Sequence, residues 1–157
     1  VEYRASEIQK ETTEIREKAI EAAKKKKEEE ARKAEEERVA ARQEVADFAV
    51  QFVGNPYVWG GTSLTNGADC SGFTMSVFAQ FGYSLPRTAA AQYDASNKKD
   101  ISQLETGDLV FYGAGGINHV ALYIGNGKIV HASGAATGIK ISDYNYETPV
   151  GIGSYMK

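Results

Sequence analysis

Every glycine and every proline of this 157-residue chain lies at or beyond Gly54. The two residue types that most readily break a helix are therefore missing from everything before it, where Ala, Glu, Lys and Arg dominate. Residues 1 to 46 hold 13 of the 21 acidic and 12 of the 18 basic residues. Opposite charges recur four apart, as in Lys24/Glu28, Glu28/Arg32, Glu29/Lys33 and Arg32/Glu36; each such pair adds roughly 0.2–0.5 kcal/mol to an exposed helix. The pattern predicts one nearly continuous charged helix. Its apolar record is thin. Val1, Ile8, Ile15 and Ala22 keep a seven-residue step, but the companion positions Arg4, Glu11 and Lys18 are charged, and the stripe ends in Lys24 to Lys27 and Glu28 to Glu30. A solvated arm or linker over 1–46 is the simpler reading. A weak coiled coil, self-associating through Ile8 and Ile15, is the alternative.

At Val45 the pattern changes, because Val45, Phe48, Ala49, Phe52 and Val53 share one helical face. That face needs a core, and the chain is long enough for one domain, expected over 47–157. Gly54-Asn55-Pro56 ends the helix and an aromatic loop, Tyr57 to Gly61, follows. Phe73, Val77, Phe78 and Phe81 then recur at helical spacing, which puts Cys70 at or near a helix start, and Thr88 can cap a short helix through about Ser96. The rest reads as strands: 109–112, 120–124, 128–132, 139–141 and 151–155. Helices followed by an antiparallel meander make an α+β domain.

The net charge of −3 lacks the basic surplus that phosphate neutralisation requires, which argues against nucleic-acid binding. No apolar run approaches the ~20 residues of a membrane span, and no signal-peptide core is present. The chain opens on Val1 without Met and reads as a fragment from which a leader could have been removed.

A single cysteine excludes an internal disulfide and leaves Cys70 as either a small core residue or a reactive thiol. Its neighbours Asp69, Ser71 and Gly72 suit an exposed turn better than a core. A thiol attacks only as thiolate, and both a helix N-terminus and a nearby imidazole favour that form. The chain has two histidines, His119 and His131, on one expected hairpin around Gly125-Asn126-Gly127. A two-residue Asn126-Gly127 turn would send them to opposite faces. A three-residue or bulged loop would put His119 opposite Ser133, with His131 on the same face and near enough to pair. Two unrelated sheet histidines remain the other reading. One Cys and two His also raise a metal site, but there is no Cys-x-x-Cys, no His-x-x-x-His and no spaced fourth ligand.

Five blocks, taken together, carry a resemblance. They are Pro56-Tyr57-Val58-Trp59-Gly60-Gly61; Asp69-Cys70-Ser71-Gly72-Phe73; Leu85-Pro86-Arg87-Thr88 with Gln92; Gly107-Asp108-Leu109-Val110-Phe111; and His119-Val120-Ala121-Leu122-Tyr123-Ile124-Gly125 followed by His131-Ala132-Ser133. In this order they resemble the NlpC-type family of bacterial cell-wall cysteine peptidases, a reduced papain-like fold, over about Val45 to Tyr155. The resemblance implies a secreted or wall-associated hydrolase, without cofactor or metal. Its substrate would be the peptidoglycan stem peptide or muropeptide, cut between γ-linked D-glutamate and the diamino acid. It also implies Cys70 as nucleophile, His119 as base and acid, and His131 as the residue orienting His119. Tyr57 would sit beside the nucleophile, Asp69 and Ser71 would hold the substrate's amine end, and Trp59 and Arg87 would complete the substrate contacts. A thiol amidase or acyltransferase on the same fold, or a non-catalytic wall-binding module, are the alternatives; the intact Cys70, His119 and His131 set argues against the module.

Overall fold

A computed structural model describes residues 2–157; Val1, the first member of the seven-residue step, lies outside the described residues. The chain divides into two compact units that meet between Arg38 and Val39. Helix α1 (Glu2–Val50) spans the division. In the first unit residues 2–37 are exposed. It carries local ion pairs such as Arg32–Glu36 at 3.0 Å and Lys33–Glu29 at 3.6 Å. Ile8 and Ile15 are 55% and 69% exposed.

In the second unit the last turns of α1 bury Val45, Ala46 and Ala49, while Phe48 packs edge-on against Phe52 and Phe81 at 5.0 and 5.5 Å. Val53 does not join that face. The helix ends at Val50, the chain turns, and Val53 is 43% exposed. A two-stranded pair, β1 (Thr62–Ser63) and β2 (Gly67–Ala68), leads into α2 (Cys70–Ala79), which buries Phe73, Val77 and Phe78. Thr88 caps α3 (Ala89–Ala95) by accepting from the Ala91 N–H at 3.2 Å.

The main sheet is antiparallel, ordered β3 (Asn97–Lys99), β8 (Gly151–Ser154), β4 (Leu109–Tyr112), β5 (His119–Gly125), β6 (Lys128–Gly134), β7 (Gly138–Asp143). The expected meander is β4 through β7. The last strand departs from it, crossing back to pair Gly153 with Leu109 and Gly151 with Phe111. Side chains alternate across the sheet. Leu109, Phe111, Val120, Leu122, Val130 and Ala132 pack with the helices, while Val110, Tyr112, Ala121, Ile129 and Ile152 form a second cluster. The helices and antiparallel sheet make the second unit an α+β domain.

Candidate active site

The site begins with the start of α2. Asp69 caps the helix, its carboxylate accepting from the Gly72 N–H at 2.7 Å, which puts Cys70 in the first turn. The turn is locked by close backbone approach: Gly72 lies so near the Gly61 carbonyl that a Cβ there would collide with it. From below, buried Gln92 donates to the Ser71 and Pro86 carbonyls, both at 2.9 Å, and accepts from Thr74 at 2.7 Å. The thiol is therefore held at a helix N-terminus by contacts that its own side chain does not make.

The two histidines are brought together by a hairpin that combines both geometries considered from the sequence. Asn126 and Gly127 form a two-residue turn, both with positive φ (54° and 75°), closed by the Gly125–Lys128 pair. A bulge between Tyr123 and Gly125 immediately precedes the turn, so that Tyr123 faces Ile129 and Leu122 faces Val130. The bulge restores the register in which His119 and His131 share a face. His119 Nε2 stands 2.7 Å from His131 Nδ1, and His131 Nε2 stands 2.9 Å from the Ser142 hydroxyl.

Burial lowers both imidazoles, His119 to about 4 and His131 to about 3, the latter helped by the nearby His119 and Lys140. The Cys70 thiol moves the other way. Burial raises it and the Asp69 charge adds to that, against the backbone N–H groups of Val120, Ser71 and Cys70, which favour the thiolate. The helix start was expected to bring the thiol down; desolvation outweighs it. Both directions favour a resting pair of neutral thiol and neutral imidazole.

An open cleft of about 570 Å³ is lined by Cys70, His119, Tyr57, Trp59, Asp69, Ser71 and Arg87, so seven of the eight residues singled out from sequence share it. His131 is the eighth. It is 1% exposed and backs His119 instead. Burial, then the charges of Cys70 and Asp69, raise the Tyr57 phenol, which therefore remains a hydrogen-bond donor at neutral pH. Asp69 is heavily committed within the protein, to Arg87 at 2.8 Å and to the Gly60 N–H at 3.0 Å besides its cap. Burial raises its carboxyl, but the bonds from Arg87, Gly72 and Gly60 outweigh this and hold it below the ordinary carboxylate range. Arg87 also donates to Ser71 at 2.9 Å. Trp59, 85% exposed, stands at the rim. Among the described residues no group of three or more His, Cys, Asp or Glu side chains is arranged to hold a metal ion.

Sequence reasoning missed Ser142 and Tyr146. Tyr146, from the loop after β7, lies with its ring 5.4 Å from His131 and 5.2 Å from Tyr112. No residue-type signal marks either, because their roles depend on the β6–β7 register and on a loop return.

Residues 54–150 match the model of the NlpC/P60 family. The probable endopeptidase p60 of Listeria innocua is 49% identical over 85 residues, covering 54% of this chain and 18% of that protein. The peptidoglycan endopeptidase RipB of Mycobacterium tuberculosis is 39% identical over 121 residues, covering 67% and 50%. The solved structure of RipB superposes with a TM-score of 0.65 at 32% identity, over 75% of this chain and 68% of that one. The gamma-D-glutamyl-L-lysine dipeptidyl-peptidase of Bacillus subtilis is 40% identical over 103 residues, covering 63% and 34%. The chain thus spans half or less of the length of each of these relatives.

Proposed function

The chain belongs to the NlpC/P60 family, and on that premise we propose that it is a peptidoglycan hydrolase of the cysteine type. It cleaves the stem-peptide amide between γ-linked D-glutamate and the diamino acid, outside the cell membrane, with the second unit as the catalytic domain and the helix before Val39 as a spacer. The observation that carries the reading is one open cleft lined by both the helix-start Cys70 and His119, the latter backed by His131 at 2.7 Å. The bond assigned rests further on the dipeptidyl-peptidase relative, whose name specifies a γ-D-glutamyl-L-lysine substrate.

His119 Nε2 is engaged by His131, which leaves Nδ1 to take the thiol proton as sulfur attacks the amide carbonyl. The oxyanion faces the N–H groups of the first α2 turn, with the Tyr57 hydroxyl as a further donor. His119 then protonates the leaving amine, and the resulting thioester is hydrolysed by water that His119 deprotonates. Arg87, Ser71 and exposed Trp59 supply substrate contacts along the cleft. The test is incubation with purified muropeptides, with products read by mass spectrometry. We expect one new amine terminus on the diamino acid, and a loss of about 10⁴-fold or more in the Cys70→Ala chain at an unchanged melting temperature. Cleavage at another bond would defeat the assigned specificity, and turnover that survives Cys70→Ala would defeat the cysteine mechanism.

A further inference from the structure

Two neutral imidazoles in contact cannot both donate, so the His119–His131 bond has a direction, and only one direction is compatible with a base. If His131 Nδ1–H donated to His119 Nε2, the single proton of neutral His119 would sit on Nδ1, the nitrogen needed to take the thiol proton. The opposite arrangement leaves Nδ1 open. It also survives the reaction, because a protonated His119 carries hydrogen on both nitrogens and must go on donating from Nε2. His131 must then accept at Nδ1 in every state and carry its own proton on Nε2. That Nε2 lies 2.9 Å from Ser142 Oγ.

We propose that Ser142 is a positioning residue: its hydroxyl accepts from His131 Nε2–H and so fixes the tautomer in which His119 can act as a base. The inference rests on the reading of Cys70 and His119 as nucleophile and base. Other groups around His131 do not substitute for this acceptor. Lys140, its partner across β6 and β7, is a donor only, and Tyr146 presents its ring. His131 is almost fully buried, so without Ser142 its Nε2–H would lose its partner in a place with little access to water. Moving the proton to Nδ1 would relieve that loss and would remove the basic nitrogen of His119 at the same time. Ser142 itself is only half-buried, on β7. Its own hydrogen is therefore able to face solvent, and its replacement makes no large core cavity. It does not line the cleft, so its effect passes through the histidines and not through substrate contact.

The test uses the full chain, with muropeptide kinetics and ¹⁵N NMR of the imidazole nitrogens at a pH where both rings are neutral. In the wild type both histidines should carry hydrogen on Nε2. Ser142→Ala should shift both towards the Nδ1–H form and lower kcat by about ten- to hundredfold, with KM little changed. Ser142→Thr, which keeps the hydroxyl, should restore both the nitrogen signature and most of kcat. Ser142→Ala with wild-type kcat and unchanged imidazole nitrogens overturns this inference alone, as does a Thr variant that rescues neither readout. Cleavage that survives His119→Ala overturns the reading beneath it, and this inference as well.

Discussion

Burial of the two histidines makes a prediction about acid. With His119 lowered to about 4 by desolvation, the proposed base stays neutral far below the ordinary imidazole range. kcat/KM should therefore hold level from neutral pH to about pH 5 and fall only as His119 protonates near 4, instead of near 6.5. The stability consequence has a definite sign. An unfolded histidine takes its proton at about 6.5, whereas the folded ones do so near 4 and 3, so between those values the unfolded chain binds more protons. The two histidines add no pH dependence above about pH 7, and their contribution to stability declines as pH falls through that window. Activity profiles paired with circular dichroism melts at each pH check both statements. An acidic limb near 6.5 in fully folded protein would show that the base is not the buried imidazole. At this scale the candidate site was largely legible, because a lone cysteine and two histidines are few enough to weigh one by one. The protonation balance was not legible, since desolvation depends on what covers a residue and not on its neighbours in the chain.

Elements place these residues, and the first turn of α2 is the most exacting of them. A methyl group at Gly72 would run into the Gly61 carbonyl, a backbone atom that also accepts from the Asp69 N–H at 3.1 Å. Gly72→Ala should cost about 1–3 kcal/mol through overpacking. It should also reduce kcat on the order of tenfold or more by displacing Cys70 from His119. Gly115→Ala is the control, since a Cβ there meets nothing within 4 Å and should leave both quantities as they are. A Gly72→Ala chain with normal melting and normal kcat would mean that the turn relaxes without moving the thiol. The hairpin shows where element-level reading stops. Asn126-Gly127 announces a turn and Gly125, at a φ of 93°, suits a bulge, but residue type alone does not say which register the two strands adopt. Strand β3 escaped for another reason. Asn97-Lys98-Lys99 is a polar edge strand, without the apolar alternation by which strands are recognised. The pairing of β8 with β4 was equally invisible, because it joins segments far apart in the chain.

For the molecule as a whole, the decisive residue is one that composition assigned to the arm. Arg42 sits in the charge-rich helix, where a polar side chain reads as solvated, yet it is 3% exposed. Its guanidinium donates to Asp108 at 2.8 Å, to Ser154 at 2.9 Å, and to the carbonyls of Met156 at 2.9 Å and Lys157 at 2.6 Å. Asp108, fully buried, is shared with Lys99 at 2.7 Å, so one network ties the end of α1 to β3, to the entry of β4 and to the segment after β8. Removing one partner of a buried ion pair costs about 3–5 kcal/mol, and the retained Lys99 argues for the lower end. Arg42→Ala should therefore lower the melting temperature on the order of 10 °C. Arg42→Lys should recover little of it, because an ammonium group does not reproduce the spread of a guanidinium fork. The same reasoning sets where the chain can be shortened. A version starting at Val39 keeps Arg42 and should melt and cleave muropeptides as the full chain does. One starting at Gln43, only four residues further on, should be as unstable as Arg42→Ala. If the Gln43 version melts like the full chain, Arg42 is a dispensable buried charge; if the Val39 version cleaves several times faster, the arm restrains the enzyme and is no passive spacer.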